Sequence, residues 1–325
     1  ASPLSVKLSV AANSVIKAAV TNTGSSALNL FKAGTFLDDA PVQKFDVVQK
    51  GAFVPFEGIL KRVGFQNLTE EAFQLLEPAQ TLEYEIDLAT VHNLNQGGKI
   101  QVSTAGAIPY TRPGSLTLSP EAAVFESNVI DIEIDGALAS KVVSVAKMME
   151  LSKRANMDRD CSGTKRDQTV QALESCATMS GAAAEQAASG SAEKFEEYFK
   201  TTSASVRKSV SDRLAAIATE CGSTTTGKTS LHCLDVLGAC SRGTLAYTLP
   251  AFNLVATCDL AFEMLEVTSR RCHAQDLAST MLHEFAHAPG VYGPGTQDLG
   301  YGYAAAMRLS STRALNNADS FALYA

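Results

Sequence analysis

The stretch Thr280-Met281-Leu282-His283-Glu284-Phe285-Ala286-His287 decides how this chain is read, because it carries the pattern H-E-x-x-H. On a helix, His283 and His287 stand four residues apart on one face, so both imidazoles can reach a single metal ion. Zinc suits such a pair, since it takes nitrogen ligands without imposing a geometry of its own. Glu284 then projects beside the metal without binding it, placed to take a proton from a water held there, which is metallopeptidase chemistry. The bland alternative is a chance match of three fixed letters. Against it stands the context: Cys272 to His287 is predicted to be one amphipathic helix, with Ala274, Leu277, Ala278, Met281, Leu282 and Phe285 on its core face. Pro289 and Gly290 end it.

A catalytic zinc takes three protein ligands and keeps one position open. From Ala288 to Ala325 there is no His, Glu or Cys, and the only carboxylates are Asp298 and Asp319. A downstream Glu ligand therefore has no candidate, and a third His is missing because Gly293 stands where H-E-x-x-H-x-x-G-x-x-H would need it. Asp298 is the better choice. It lies in Gly295-Thr296-Gln297-Asp298-Leu299-Gly300-Tyr301-Gly302, where glycines let the chain turn sharply and return a short carboxylate to the metal. Asp319 is the reserve ligand, or else support for a ligand or a helix cap. Tyr301 could bond an oxyanion or simply pack.

These residues resemble the deuterolysins, fungal secreted metalloendopeptidases of the aspzincin group, whose signature is H-E-x-x-H followed by G-T-x-D-x-x-Y-G. Both parts match. The likeness reads from about Cys161 to Ala325 and includes Phe195 to Lys200, Ala246-Tyr247-Thr248-Leu249-Pro250 and Leu315-Asn316-Asn317-Ala318-Asp319. It implies a mainly α, zincin-like catalytic domain with a small β hairpin or sheet, one Zn2+ per chain on His283, His287 and Asp298, and Glu284 as general base. It further implies secretion and the cleavage of basic proteins such as histones and protamine, with a hydrophobic residue after the scissile bond. Pairing of Cys161 with Cys233 and of Cys240 with Cys258 is implied as well. The family counterpart of Cys272 pairs with a cysteine at the extreme C-terminus, whereas this sequence stops at Ala325 without one; either it stops short or Cys272 is free.

The seven cysteines all fall at or after Cys161, so two units built by different rules are expected. Cys176 and Cys221, additional to the family set, are candidates for a further bridge. Reduced thiols in a cytosolic protein are the competing reading, and the sequon Asn67-Leu68-Thr69 argues against it. A formal charge of −7 disfavours nucleic acid and weakly favours basic substrates. With no run of about twenty apolar residues, nothing is expected to span a membrane. Ala1-Ser2-Pro3 looks like the product of leader removal.

Residues 1 to about 140 are predicted to be all-β, an antiparallel sandwich-like unit. Its strands are expected at Leu4–Val10, Val15–Thr21, Ala27–Leu30, Phe45–Val48, Leu82–Ile86, Lys99–Ser103 and Val129–Ile134, with one helical piece at Thr69–Leu76. Lys61-Arg62 reads as a solvated pair and His92, the only histidine there, as a plain polar residue. A helical run, Ala137 to Met149, leads to Lys153-Arg154, a dibasic site for a secretory-pathway endoprotease. Residues 1–154 are accordingly expected to be a propeptide inhibiting the enzyme of residues 155–325. Lys165-Arg166 is a weaker site, since it follows Cys161. Without a cysteine the propeptide cannot inhibit through a thiolate, which leaves a carboxylate, His92 or occlusion of the cleft. A permanent binding module is the alternative for this unit, and an inactive binding or adhesion protein the alternative for the whole.

Three helices are expected at about Arg166–Ser189, Ala192–Lys200 and Ser203–Thr219, then a hairpin of Thr244–Leu249 and Leu254–Cys258, one strand of which is a candidate to hold an extended substrate, an ordinary hairpin being the alternative. Glu193, Glu196 and Glu197 read as a solvated helix face. Two short helices flanking Ser310-Ser311-Thr312 are expected to close the chain.

Overall fold

The computed structural model describes residues 2–66, 68–152, 160–224, 226–241 and 243–325. Two compact units emerge: Ala1–Ile59 with Leu68–Asn156, and Leu60–Asn67 with Met157–Ala325. Lys153-Arg154 and Asn67 lie outside the described residues.

The strands in chain order are β1 (Leu4–Val10), β2 (Val15–Asn22), β3 (Leu28–Phe31), β4 (Asp46–Gln49), β5 (Ala52–Phe53), β6 (Leu60–Val63), β7 (Phe73–Leu76), β8 (Thr81–Asp87), β9 (Gly98–Ser103), β10 (Ala105–Thr111), β11 (Ala122–Glu126) and β12 (Ile130–Ile134). All but β6 belong to the first unit. They form three antiparallel sheets, ordered β1-β2-β8, β11-β10-β3-β7 and β12-β9-β4-β5. Period-2 alternation explains why: along β2, Ile16, Ala18 and Val20 turn inward while their neighbours stay half exposed. These meet Val6, Leu30, Val47, Leu76, Ile100, Val102 and Ile132 in one apolar core. Two short helices follow, α1 (Gly136–Ala139) and α2 (Val145–Ser152), in place of the single run expected from Ala137.

The helix expected at Thr69–Leu76 is a strand instead. A single turn at Glu70–Ala72 opens into β7, whose backbone pairs with β3 from Phe31↔Phe73 to Leu28↔Leu76. Local preference for helix is overridden by a neighbour that satisfies the backbone and buries Phe73 and Leu76.

His92 is buried, with Nδ1 3.1 Å from the Pro55 carbonyl and its ring edge-on to Phe56. Burial pushes its pKa down to about 4. A base with a lowered folded pKa binds its proton more readily when unfolded, so stability is lost as pH falls below about 6.5, and the loss is complete near pH 4. His92 alone should then remove about 3 kcal/mol from the first unit over that range. Urea titrations at pH 7 and pH 4 check this; His92→Gln should flatten the difference.

The second unit holds α3 (Gly163–Ser189), α4 (Ala192–Phe199), α5 (Ala204–Cys221), β13 (Ser230–His232), β14 (Thr244–Leu249), β15 (Leu254–Thr257), α6 (Asp259–Met264), α7 (Leu277–His287), α8 (Gly302–Ala306), α9 (Ser311–Ala314) and α10 (Ala318–Tyr324). The three long helices and the hairpin fall where expected to within a turn. The chain closes with three short helices rather than two. Bridges join Cys161–Cys233, Cys176–Cys221 and Cys240–Cys258, and Cys272 is exposed without one. Closing loops of 18 to 72 residues, such bridges contribute roughly 2 to 4 kcal/mol each. Among the described residues no helix is long and apolar enough to cross a membrane.

One sheet, ordered β13-β15-β14-β6, packs beside α7 in this unit. Its β6 strand runs antiparallel to β14. Lys61 and Arg62 are therefore not the solvated pair expected: they are 0% and 3% exposed. Nothing in the local sequence announces this, because the pairing partner lies about 180 residues away.

Candidate metal centre

Helix α7 is shorter than the expected Cys272–His287, and the reason is a cap. The Asp276 carboxylate accepts the Ser279 amide, the Ser279 hydroxyl stands 3.2 Å from the Asp276 amide, and the helix starts at Leu277. No face of the helix meets solvent, since all eleven of its residues are buried, so its polar side is turned to the site instead. At its C-terminal end, Arg213 donates to the carbonyls of Ala286 and Pro294, satisfying helix-end and loop oxygens together.

The last turn brings His283 and His287 together, their Nε2 atoms 3.1 Å apart. Asp298 Oδ1 lies 3.2 Å from the first and 3.3 Å from the second. Among the described residues these three form the one His/Cys/Asp/Glu group able to share a metal ion. Asp298 reaches it through the loop after α7. Gly295 passes so close to the His287 carbonyl that a Cβ would sit 2.1 Å from the oxygen, so only glycine fits. Asn317 then fixes the far side: its Oδ1 accepts from the Leu299 and Gly300 amides, and its Nδ2 donates to the Gly300 carbonyl.

The outer ring nitrogens are both occupied. His283 Nδ1 lies 2.8 Å from Asp319 Oδ1, and His287 Nδ1 lies 3.0 Å from the Thr296 carbonyl. Each therefore donates outward, leaving a lone pair on Nε2. Arg62 Nη1 also reaches Asp319 Oδ1 and stands 3.1 Å from His283 Nδ1; two donors share one acceptor there, so the nitrogen pair is a proximity and not a bond. Two lone pairs and a carboxylate oxygen without a hydrogen-bond partner thus converge on one point. Donors about 2.0–2.1 Å from a tetrahedral ion stand roughly 3.3 Å apart, which is the spacing found, so the residues fit a bound metal.

Glu284 is buried beside this group. Its Oε2 accepts from the Thr248 hydroxyl on β14 at 2.5 Å, while Oε1 has no partner. Burial pushes the Glu284 carboxyl up to about 7. His283 goes the other way, down to about 3, through burial and then the Arg62 charge.

All three expected metal-site residues and Glu284 come together. Asp319 does not join them; it orients His283 and accepts the Gly302 amide at 2.5 Å. Tyr301 is buried. Sequence reading missed Thr248, Thr296, Asn317, Arg213 and the Lys61-Arg62 pair. The first three sit inside stretches that carry the deuterolysin resemblance, whereas Arg213 and Lys61-Arg62 left no signal.

Similar proteins extend the likeness beyond the Cys161–Ala325 region first apparent. The chain is 46% identical over 322 residues to a neutral protease 2 homologue of Aspergillus terreus, covering 99% of this chain and 90% of that one. It is 43% identical over 323 residues to neutral protease 2 of Aspergillus oryzae, covering 99% and 90%. Penicillolysin of Penicillium citrinum is 44% identical over 326 residues, covering 100% and 91%. With its entire length, residues 1–325, matching that family, and with this group of side chains at its centre, the chain belongs to the deuterolysin metalloprotease (M35) family and is a metalloendopeptidase.

Proposed function

We propose that the protein is a secreted zinc endopeptidase made as a zymogen, with His283, His287 and Asp298 holding one Zn2+ and Glu284 acting as general base. The observation that carries the reading is the convergence of two Nε2 lone pairs and the unpartnered Asp298 Oδ1 beside an equally unpartnered Glu284 Oε1. Zinc bound there would supply Lewis-acid polarisation and a lowered pKa for water. The chain's own groups do the rest. Thr248 holds Oε2, so Oε1 is the atom that takes a proton from the attacking water and returns it to the departing amine. A carboxyl pushed up towards neutrality is suited to both transfers. Asp319 and the Thr296 carbonyl keep the imidazoles in the ligating tautomer.

Residues 1–154 act in this reading as a zincin-type catalytic domain's propeptide, β-rich and cysteine-free, removed after Lys153-Arg154. The other dibasic pair, Lys165-Arg166, lies inside α3, a conformation unsuited to a protease that binds its target extended. Three disulfides suit an extracellular enzyme. The resemblance and the charge of −7 favour basic proteins such as histones and protamine, with a hydrophobic residue after the cut. Metal analysis tests the core of this: one zinc per chain is expected, with peptide hydrolysis by the processed enzyme lost on chelation and restored by zinc. A protein that binds no zinc and cleaves nothing after processing would instead be the inactive binding protein.

A further inference from the structure

The second unit's sheet ends on β6, a strand contributed from among the first 154 residues. Its position relative to the metal centre is close. Along β14 the register pairs Leu60 with Thr248 and Lys61 with Tyr247, so β6 lies directly opposite the residue that holds Glu284. The Lys61 amide points away from β14 and donates to Asp298 Oδ2 at 3.0 Å. A peptide backbone thus crosses within hydrogen-bond distance of the carboxylate that completes the group.

Side chains and flanking backbone hold the segment there. Arg62 pairs with Asp319 behind His283, and Lys61 Nζ reaches Ser241 Oγ at 3.2 Å. The Gly64 amide donates to the Gly243 carbonyl at 2.7 Å, and Gln275 clamps the Val63 carbonyl at 2.7 Å. Phe65 lies against Gly302, where a Cβ would meet the ring at 3.0 Å.

Burying a lysine and an arginine this fully is a poor way to stabilise a sheet edge, since desolvation offsets most of the Coulombic gain. Arg62 Nε is moreover left without a partner. Apolar residues would seal an edge strand at lower cost. What the Lys61 amide and the Arg62 side chain do achieve is attachment to Asp298, which completes the group, and to Asp319, which orients His283.

We propose, resting on the protease reading above, that the edge of β14 is the seat for an extended substrate chain and that Leu60–Val63 is its resident occupant, a pseudo-substrate strand that blocks the centre until it leaves. Of the inhibitory routes open from the sequence, this selects occlusion. His92 is not the inhibitory group: it is buried in the first unit on the Pro55 carbonyl. Removal of β6 frees the β14 edge, the Asp298 Oδ2 and the Asp319 contact together.

The test uses the full chain carrying Glu284→Gln, so that nothing is cleaved, and a fluorescent peptide with the chain's own sequence from Phe56 to Gln66. An intramolecular occupant at an effective concentration of about 1 mM weakens a competing peptide of micromolar affinity by about 10²-fold or more. Adding Lys61→Pro and Arg62→Ala, which remove the amide donor and the Asp319 anchor, should tighten peptide binding by at least about ten-fold, read by anisotropy. Arg62→Ala alone keeps the backbone bonds and should give a smaller shift in the same direction; it carries the test if the double variant does not fold. Unchanged affinity in a folded variant overturns the proposal and makes β6 a permanent strand of the sheet. Zinc titration of the same proteins separates the two readings: one zinc per chain with unchanged peptide binding sinks the occupant alone, whereas no zinc sinks the centre itself.

Discussion

Glu284→Gln in the processed enzyme is expected to lower kcat by about 10²- to 10⁴-fold while zinc content stays at one per chain. The two effects separate because of where the carboxylate points. Oε2 is tied to Thr248 and neither oxygen belongs to the His283, His287 and Asp298 group, so an amide can occupy the same space and keep the Thr248 contact. What the amide cannot do is accept a proton at the atom left without a partner. Steady-state hydrolysis of a peptide, alongside metal analysis, reads both. Full activity in the variant would remove Glu284 from the reaction.

Asp298→Ala should act on the metal instead. It deletes one of three converging donors and leaves two imidazoles. Loss of an outer partner of a ligand typically costs 10- to 100-fold in metal affinity, so loss of the ligand itself should cost more than about 100-fold. Asp319→Asn supplies the contrast. It keeps an oxygen near His283 Nδ1 but removes the charge, and a loss of about 10- to 100-fold is expected. Competition with a chelator of known affinity orders the three proteins. If Asp319→Asn lost more zinc than Asp298→Ala, the assignment of the two carboxylates would be reversed.

The candidate centre was legible in the sequence because the residues proposed as ligands are local. His283 and His287 share a helix face, and Asp298 follows within one loop, where Gly295 is required because a side chain there would strike the His287 carbonyl. Elimination narrowed the candidate third ligand to Asp298 or Asp319, and the two sit differently: Asp298 faces both Nε2 atoms, Asp319 a single Nδ1. The β-rich first unit was legible in its period-2 strands, β2 most clearly. What the sequence could not convey was long-range pairing. Thr69–Leu76 has the composition of a helix and becomes a strand because β3 is there to receive it. Lys61-Arg62 looks like any exposed dibasic pair, and only the register with β14 reveals both side chains as buried. Asp276 ends the apparent helix at Cys272–Gln275 by taking the Ser279 amide, a competition between cap and periodicity that spacing alone decides wrongly.

X-ray absorption at the zinc edge of the purified full chain tests the central claim most directly. Two imidazole nitrogens and at least one carboxylate oxygen at about 2.0–2.1 Å, with no sulfur, are expected. A spectrum showing sulfur at about 2.3 Å, or fewer than two imidazoles, would contradict the assignment of His283, His287 and Asp298 as the metal site.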